Sequence, residues 1–413
     1  MAILTLALKS LWNRRYTALL TLLAIALSVA LLLGVERVRT EARQSFANTI
    51  SGTDLVVGAR SGSIQLLLYS VFRIGNATNN ISWQSYREIA QRPEVAWTIP
   101  ISLGDSHRGY RVMGTTIDYF EHYRYGRKQP LVMAEGRRFA ELYDAVLGAE
   151  VAKELNYRLG QTIVLAHGAG DVSFVEHADK PFRVVGILKP TGTPVDRTVH
   201  VSLEAIEAIH SDGWMGGVPS LAAAAPDLTP RAITAFLVGL KSKTAVFRVQ
   251  RFVNDYREEP LLAVLPGVAL QELWDAMGVA EQVLLAISGF VVLVGLTGMI
   301  TVLLAGLRER RREMAILRAL GARPGQVFLL LVCEAGSLAL AGVMAGMALL
   351  YLLLFAIRPV IEAQFGLHLG LDAPSAHELT IAGLVVACGF VVGALPAWRA
   401  YRYALADGMT IRL

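Results

Sequence analysis

The residues of this sequence that could carry chemistry are few and scattered. His167 and His177 stand ten positions apart, with Glu176 beside the second. Such groups could in principle hold a divalent ion, but a metal site needs a further ligand at metal-site spacing. No such ligand appears, so these histidines read as surface or loop residues and no metal centre is expected. Glu334 is the one formally charged residue inside an apolar run long enough to cross a bilayer. An intramembrane carboxylate is a functional candidate by default. It lies about two turns from the basic end of its run, where an interfacial hydrogen-bonding role serves equally well. There is no G-x-x-x-x-G-K-[ST] phosphate cradle, no G-x-S-x-G nucleophile elbow and no H-E-x-x-H. No catalytic residue, cofactor or metal is expected in this chain.

Two further spacings concern packing. Gly342 and Gly346, and again Gly389 and Gly393, stand four apart inside apolar runs. Small residues at that interval let helix backbones approach where lipid supplies no hydrophobic drive. They predict helix contacts, within the chain or across a dimer. The run Ile64–Ile74 is apolar although it lies outside the spans. Its side chains, among them Ile64, Leu66, Leu67, Leu68, Tyr69, Val71 and Phe72, read first as core. Their other reading is a greasy patch for a substrate or partner.

The elements that position these residues follow from composition. Of the 413 residues 54% are hydrophobic and only 18% charged, and the apolar ones are gathered into four runs. A bilayer core of about 30 Å needs roughly 20 helical residues, which places spans at 17–35, 282–307, 327–357 and 379–398. Cys333 and Cys388 both fall in such runs, so no disulfide is expected. The first run also invites reading as a cleaved signal peptide. It is long for that, and it continues as the charged helical pattern Glu36-Arg-Val-Arg-Thr-Glu-Ala-Arg43.

Basic residues orient the spans. Lys9, Arg14 and Arg15 precede the first, and Arg308, Arg310, Arg311, Arg312, Arg318 and Arg323 lie between the second and third. Arg399, Arg402 and Arg412 follow the fourth. Residues 36–281 are close to neutral, and the loop 358–378 is net acidic. Both termini and the 308–326 loop are thus expected in the cytoplasm, with 36–281 on the other side. The formal charge of +5 is a topology signal, not a nucleic-acid signal.

Residues 36–281 are too many for a loop. Strands are expected at Trp97–Leu103, Tyr110–Ile117, Gln161–Ala166, Phe182–Leu188, Thr198–Val201 and Ala232–Leu240. Helices are expected at Trp83–Gln91, Asp144–Leu155, Leu203–Ile209 and Thr244–Val253, which makes an α+β domain. Ser211–Pro230 reads as an exposed irregular loop. Glu36–Ile50 and Val268–Glu281 look helical without turn chemistry, as stalks continuing the first two spans.

The loop after the second span reads Arg308-Glu-Arg-Arg-Arg-Glu-Met-Ala-Ile-Leu-Arg-Ala-Leu-Gly-Ala-Arg-Pro324. A short amphipathic helix at the membrane face fits it, with Gly321 as its stop. Its core, Arg311, Arg312, Glu313, Met314, Ala315, Ile316, Leu317, Arg318, Ala319, Leu320, Gly321 and Ala322, resembles the coupling segment of the MacB/LolE/FtsX-type ABC transporter permeases. That family's pattern is roughly R-R-x-E-[IM]-A-[IL]-L-R-A-L-G-A, and here it is one residue shorter before the Glu. Leu6–Arg15 is similar to the family's opening amphipathic helix. Glu334-Ala335 and Leu395-Pro-Ala-Trp-Arg-Ala400 follow its habit around the last two spans. Leu147–Ala152, Leu159–Ile163 and Phe182–Ile187 resemble its periplasmic core domain. The sequence departs at its end, where Ala406-Asp-Gly-Met409 replaces Asp-Pro-x-[EK]-A-L, and it carries no fused nucleotide-binding domain.

The resemblance implies four transmembrane helices, with a large α+β periplasmic domain inserted between the first and second. It divides the chain into an opening helix at 1–16, spans at 17–35, 282–307, 327–357 and 379–398, the domain at 36–281, a coupling loop at 308–326, a short periplasmic loop at 358–378 and a tail at 399–413. It further implies a bacterial inner-membrane permease, working as a homodimer with two copies of a separate cytoplasmic ABC ATPase that holds ATP and Mg. The permease would pass ATP-driven movement to its periplasmic domain, to extract or export a lipoprotein, lipid, peptide or drug. A periplasmic adaptor, carrier or lipoprotein is the further partner implied, and no nucleic acid. The alternative is an FtsX-like signalling subunit that activates a periplasmic hydrolase or sensor.

Overall fold

The computed structural model describes residues 15–168, 175–176, 179–211, 228–309, 316, 321–365 and 372–406. They fall into two units, a helical bundle within 1–41, 278–362 and 369–413, and a domain within 42–277 together with 363–368. In chain order the elements begin with α1 (Arg15–Thr49), β1 (Leu55–Ala59), α2 (Ser63–Ser70), β2 (Ile81–Ser82), α3 (Trp83–Ala90), β3 (Val95–His107), β4 (Tyr110–Thr115) and α4 (Asp118–His122). There follow β5 (Arg124–Tyr125), β6 (Gln129–Pro130), β7 (Met133–Gly136), β8 (Asp144–Leu147), α5 (Ala149–Glu154), β9 (Thr162–Ile163), β10 (Ala166–His167) and β11 (Val175–Glu176). Next come β12 (Phe182–Leu188), β13 (Thr198–Ser202), α6 (Leu203–Ser211), β14 (Ala232–Ile233), β15 (Ala235–Leu240), α7 (Val246–Asn254) and β16 (Leu261–Val264). The long helices α8 (Pro266–Glu309), α9 (Pro324–Phe365) and α10 (Ala376–Ala406) complete the described chain.

Four helices, α1, α8, α9 and α10, are long and apolar enough to cross a membrane. Ile25, Val29 and Leu33 of α1 pack with Leu296, Met299 and Leu303 of α8, Leu338 and Val343 of α9, and Val385 of α10. The opposite faces are greasy as well: Leu20, Phe290 and Phe355 are 67%, 69% and 73% exposed, as side chains bathed in lipid are. Hydroxyls inside the helices bond back to their own backbone, Thr21 to the Thr17 carbonyl at 2.9 Å and Ser288 to that of Leu284 at 2.8 Å. In hydrocarbon such groups have no water to satisfy them.

In the domain, one twelve-stranded mixed sheet runs β16-β1-β15-β3-β4-β13-β8-β12-β7, with β9, β10 and β11 off that path. Strand alternation divides its side chains between two covered faces. Val56 of β1 and Leu237 of β15 join Leu66 and Tyr69 of α2 and Phe120 of α4. Their neighbours Leu55, Val57, Phe236 and Val238 turn the other way, onto Tyr86 and Ile89 of α3 and Val249 and Val253 of α7. A third cluster sets Leu147, Val199 and Val201 against α5 and α6.

Several sequence expectations are corrected here. Asp144–Leu155 is not one helix: β8 pairs parallel with β12 and antiparallel with β13, and α5 starts only at Ala149. Asp-Ala-Val-Leu is buried on both faces, and so short an apolar run has no period that separates strand from helix. At Gly148 a Cβ would run into the Val195 and Asp196 carbonyl oxygens, which fixes the turn between strand and helix. Gln161–Ala166 divides into β9 and β10, and Tyr110–Ile117 ends at Thr115. Ala232–Leu240 is interrupted at Thr234, whose hydroxyl accepts from the Leu103 amide at 2.9 Å. The strands β1, β7 and β16 carry no alternation and escaped the sequence reading. Helix α9 continues past Ile357 to Phe365, into the expected 358–378 loop. Most of the expected Ser211–Pro230 loop lies outside the described residues.

Candidate functional site

Of the coupling segment, Ile316, Gly321 and Ala322 are described, while Arg311–Ala315 and Leu317–Leu320 lie outside the described residues. Ile316 is helical and 54% exposed. Gly321 adopts φ +95°, a conformation that suits glycine at a helix end. Pro324 then opens α9, where its missing N–H costs nothing.

The four spaced glycines make contacts within this chain. A Cβ on Gly342 would stand 2.6 Å from Ile25 Cγ2, and one on Gly346 would stand 2.7 Å from the Ala26 carbonyl oxygen, so α9 packs against α1 at these positions. Gly389 and Gly393 of α10 face Ala339 and Ala335 of α9, where a Cβ would clash with the alanine methyls. Glu334 is 3% exposed within the bundle. The apolar run 64–74 supplies α2, and Leu66, Leu67, Tyr69, Val71 and Phe72 are all buried in the sheet core. The partner-contact reading of those five is corrected: their side chains are spent on packing, with Ile64 and Leu68 half-buried beside them. His177 and the side chain of Glu176 lie outside the described residues, and His167 meets Asp105.

Sequence reasoning missed a polar cluster at the Glu36 end of the bundle. Arg37 and Glu378 meet at 3.5 Å with side chains only 5% and 8% exposed. The same guanidinium donates to the Tyr351 hydroxyl at 2.9 Å and to the Asp372 carbonyl at 2.8 Å. Arg39 bonds Glu36 at 2.7 Å and reaches Glu281 at 3.7 Å, and His377 stands 3.4 Å from Glu36. The cluster therefore ties α1 to α8, α9 and α10. Glu378 is oriented by a capping box, in which its carboxylate accepts from the Ser375 amide at 2.7 Å and the Ser375 hydroxyl accepts from the Glu378 amide at 3.1 Å. The only sequence signal was that Ser-x-x-Glu spacing ahead of an apolar run. The arrangement has no nucleophile and no phosphate cradle. What it does is hold the neighbouring parts of α1, α8, α9 and α10 together through charge-assisted contacts.

The family model described as MacB-like periplasmic core domain matches residues 18–253, more than half of the chain. The one described as FtsX-like permease C-terminal matches residues 285–405. The chain belongs to this family of FtsX-like permeases with a MacB-like periplasmic core domain. It is similar to the uncharacterized ABC transporter permease MJ1507 of Methanocaldococcus jannaschii, 25% identical over 233 residues. That match covers 55% of this chain and 53% of the other, so the chain spans about half the length of the curated relative it matches. Among solved structures it is similar to the periplasmic region of MacB from Actinobacillus actinomycetemcomitans, at 13% identity over 55% of this chain and 94% of that one, with a TM-score of 0.35. It is also similar to the extracellular domain of the noncanonic ABC-type transporter YknZ from Gram-positive bacteria, at 12% identity over 52% of this chain and 98% of that one, with a TM-score of 0.32.

Proposed function

We propose that the chain is a permease subunit of an ABC transporter in a bacterial inner membrane, and that it transmits mechanical work. ATP and Mg are bound and hydrolysed by a separate ATPase, two copies of which seat against Arg311–Ala322 of two permease protomers. Both termini are cytoplasmic and the 36–281 domain is periplasmic. There it extracts or exports a lipoprotein, lipid, peptide or drug.

One observation carries the mechanical reading. Helices α1 and α8 run unbroken for 35 and 44 residues, about 50 and 65 Å at the helical rise. A hydrocarbon core needs only about 30 Å, so each helix has length left over to act as a lever. A flexible Gly/Ser linker would not transmit displacement. The apolar span interiors, with one buried carboxylate in α9, also favour levers over a polar tunnel. The test begins with Ala315→Asp and Leu320→Asp, which place charge on the apolar side of the coupling segment. The doubly substituted chain is expected to lose co-purification with its ATPase while still reaching the membrane. Undiminished co-purification would overturn the docking role. Spin-label distances in the domain that are identical in ATP-trapped and nucleotide-free complexes would overturn the transmission of work.

A further inference from the structure

Strand β10 lies antiparallel to β3, with His167 directly opposite Asp105 and Ala166 opposite Ser106. Directly opposed residues present their side chains on the same face within contact distance. His210 comes from the last turn of α6, far away in sequence, and closes over the same point. Asp105 Oδ1 stands 3.0 Å from His167 Nδ1 and 3.5 Å from His210 Nε2, and the two ring nitrogens are 3.4 Å apart. The imidazoles stack with centroids 4.4 Å apart.

The Asp105 side chain is 3% exposed, and its buried Oδ1 faces both imidazoles, at 3.0 and 3.5 Å. A carboxylate so buried needs a cation. The edges suit a metal ion. Tetrahedral zinc with bonds of about 2.0–2.1 Å sets its ligands about 3.3–3.4 Å apart, and the observed 3.0, 3.4 and 3.5 Å bracket that spacing. A point about 2 Å from all three atoms therefore exists. The imidazole side chains are 43% and 33% exposed. Two nitrogens and one oxygen favour zinc over magnesium or calcium, which take oxygen ligands in larger number.

We propose that Asp105, His167 and His210 bind a divalent transition-metal ion of the zinc class, with water as the fourth ligand. The ion would staple β3, β10 and α6, three elements that no other covalent or metal link joins among the described residues. The other group of this kind, Asp118, Glu121 and His122, is already engaged: Glu121 bonds Arg138 at 3.0 Å, and His122 stacks on Trp97 at 5.3 Å.

The test uses the full chain in detergent, stripped with a chelator and titrated calorimetrically with Zn(II), beside His167→Ala and His210→Ala. The expected result is one equivalent bound per parent chain. Affinity should weaken at least tenfold in each variant, and Zn(II) should raise the melting temperature of the parent alone, since a ligand bound only by the folded state stabilises it. Mg(II) should do neither. Matching circular dichroism of the stripped parent and variants would show that the substitutions leave the fold intact. Zn(II) binding of equal stoichiometry and affinity in parent and variants would overturn the proposal. So would a parent that binds none, which would mark the triangle as a proton-bridged group.

Discussion

Arg37 meets Glu378, Tyr351 and Asp372 from a nearly dry position, and Glu378 is a buried carboxylate facing it. Removing one partner of a buried ion pair leaves an uncompensated charge, at a cost of about 3–5 kcal/mol. Arg37→Ala and Glu378→Ala are each expected to destabilise the bundle by that order, and the double variant by clearly less than the sum. Thermal unfolding in detergent measures this, and simple additivity would show the two residues to be independent. His200 makes a different prediction. It is fully buried in β13 with Nδ1 3.2 Å from the Val146 carbonyl, and burial, reinforced by the charge of Arg73, pushes its imidazole down to about 3. The unfolded chain takes up that proton near pH ~6.5, whereas the folded one refuses it. The contribution is thus complete above about pH 6.5 and is lost progressively as the pH falls towards 3. His200→Gln should remove about 1 kcal/mol per pH unit from the acid slope of urea unfolding; an unchanged slope between pH 6 and pH 4 counts against it. Neither residue was legible beforehand. Arg37 sits in a charged run that reads as a solvated helix, and only the fold brings Glu378 beside it.

At the scale of elements, the close approach of α9 to α1 rests on two missing side chains. Gly346→Ala would put a methyl 2.7 Å from the Ala26 carbonyl oxygen, a backbone atom that cannot swing aside. The substitution is expected to cost about 1–3 kcal/mol through overpacking, read as a lower melting temperature in detergent. Gly383→Ala, where a Cβ meets nothing within 4 Å, is the control and should leave it unchanged. The spacing of the glycines was plain in the sequence, but which helix they face was not. Amphipathic α3 and the strand β12 were equally plain, because each carries the period of its own structure. The strands β1, β8 and β16 were not, since a strand covered on both faces loses the alternation that would reveal it.

The whole molecule was the most legible level, because the length of an apolar run answers to bilayer thickness alone. The proposed topology is checked with single cysteines in a background lacking Cys333 and Cys388. Arg248→Cys, at a side chain 74% exposed, should react with a membrane-impermeant maleimide on intact spheroplasts. Ile316→Cys should react only once the membrane is opened, and the reverse pattern would invert the protein. The polar cluster was illegible at this scale, since it assembles residues from four helices that no local pattern connects. Glu378 divides its two oxygens, Oε2 closing the first turn of α10 and Oε1 facing Arg37. A pull on α1 that draws Arg37 away thus removes the counter-charge from a helix cap. The same displacement would then be felt as fraying at the start of the last span, so one acid makes the onset of that helix a strain gauge for the first.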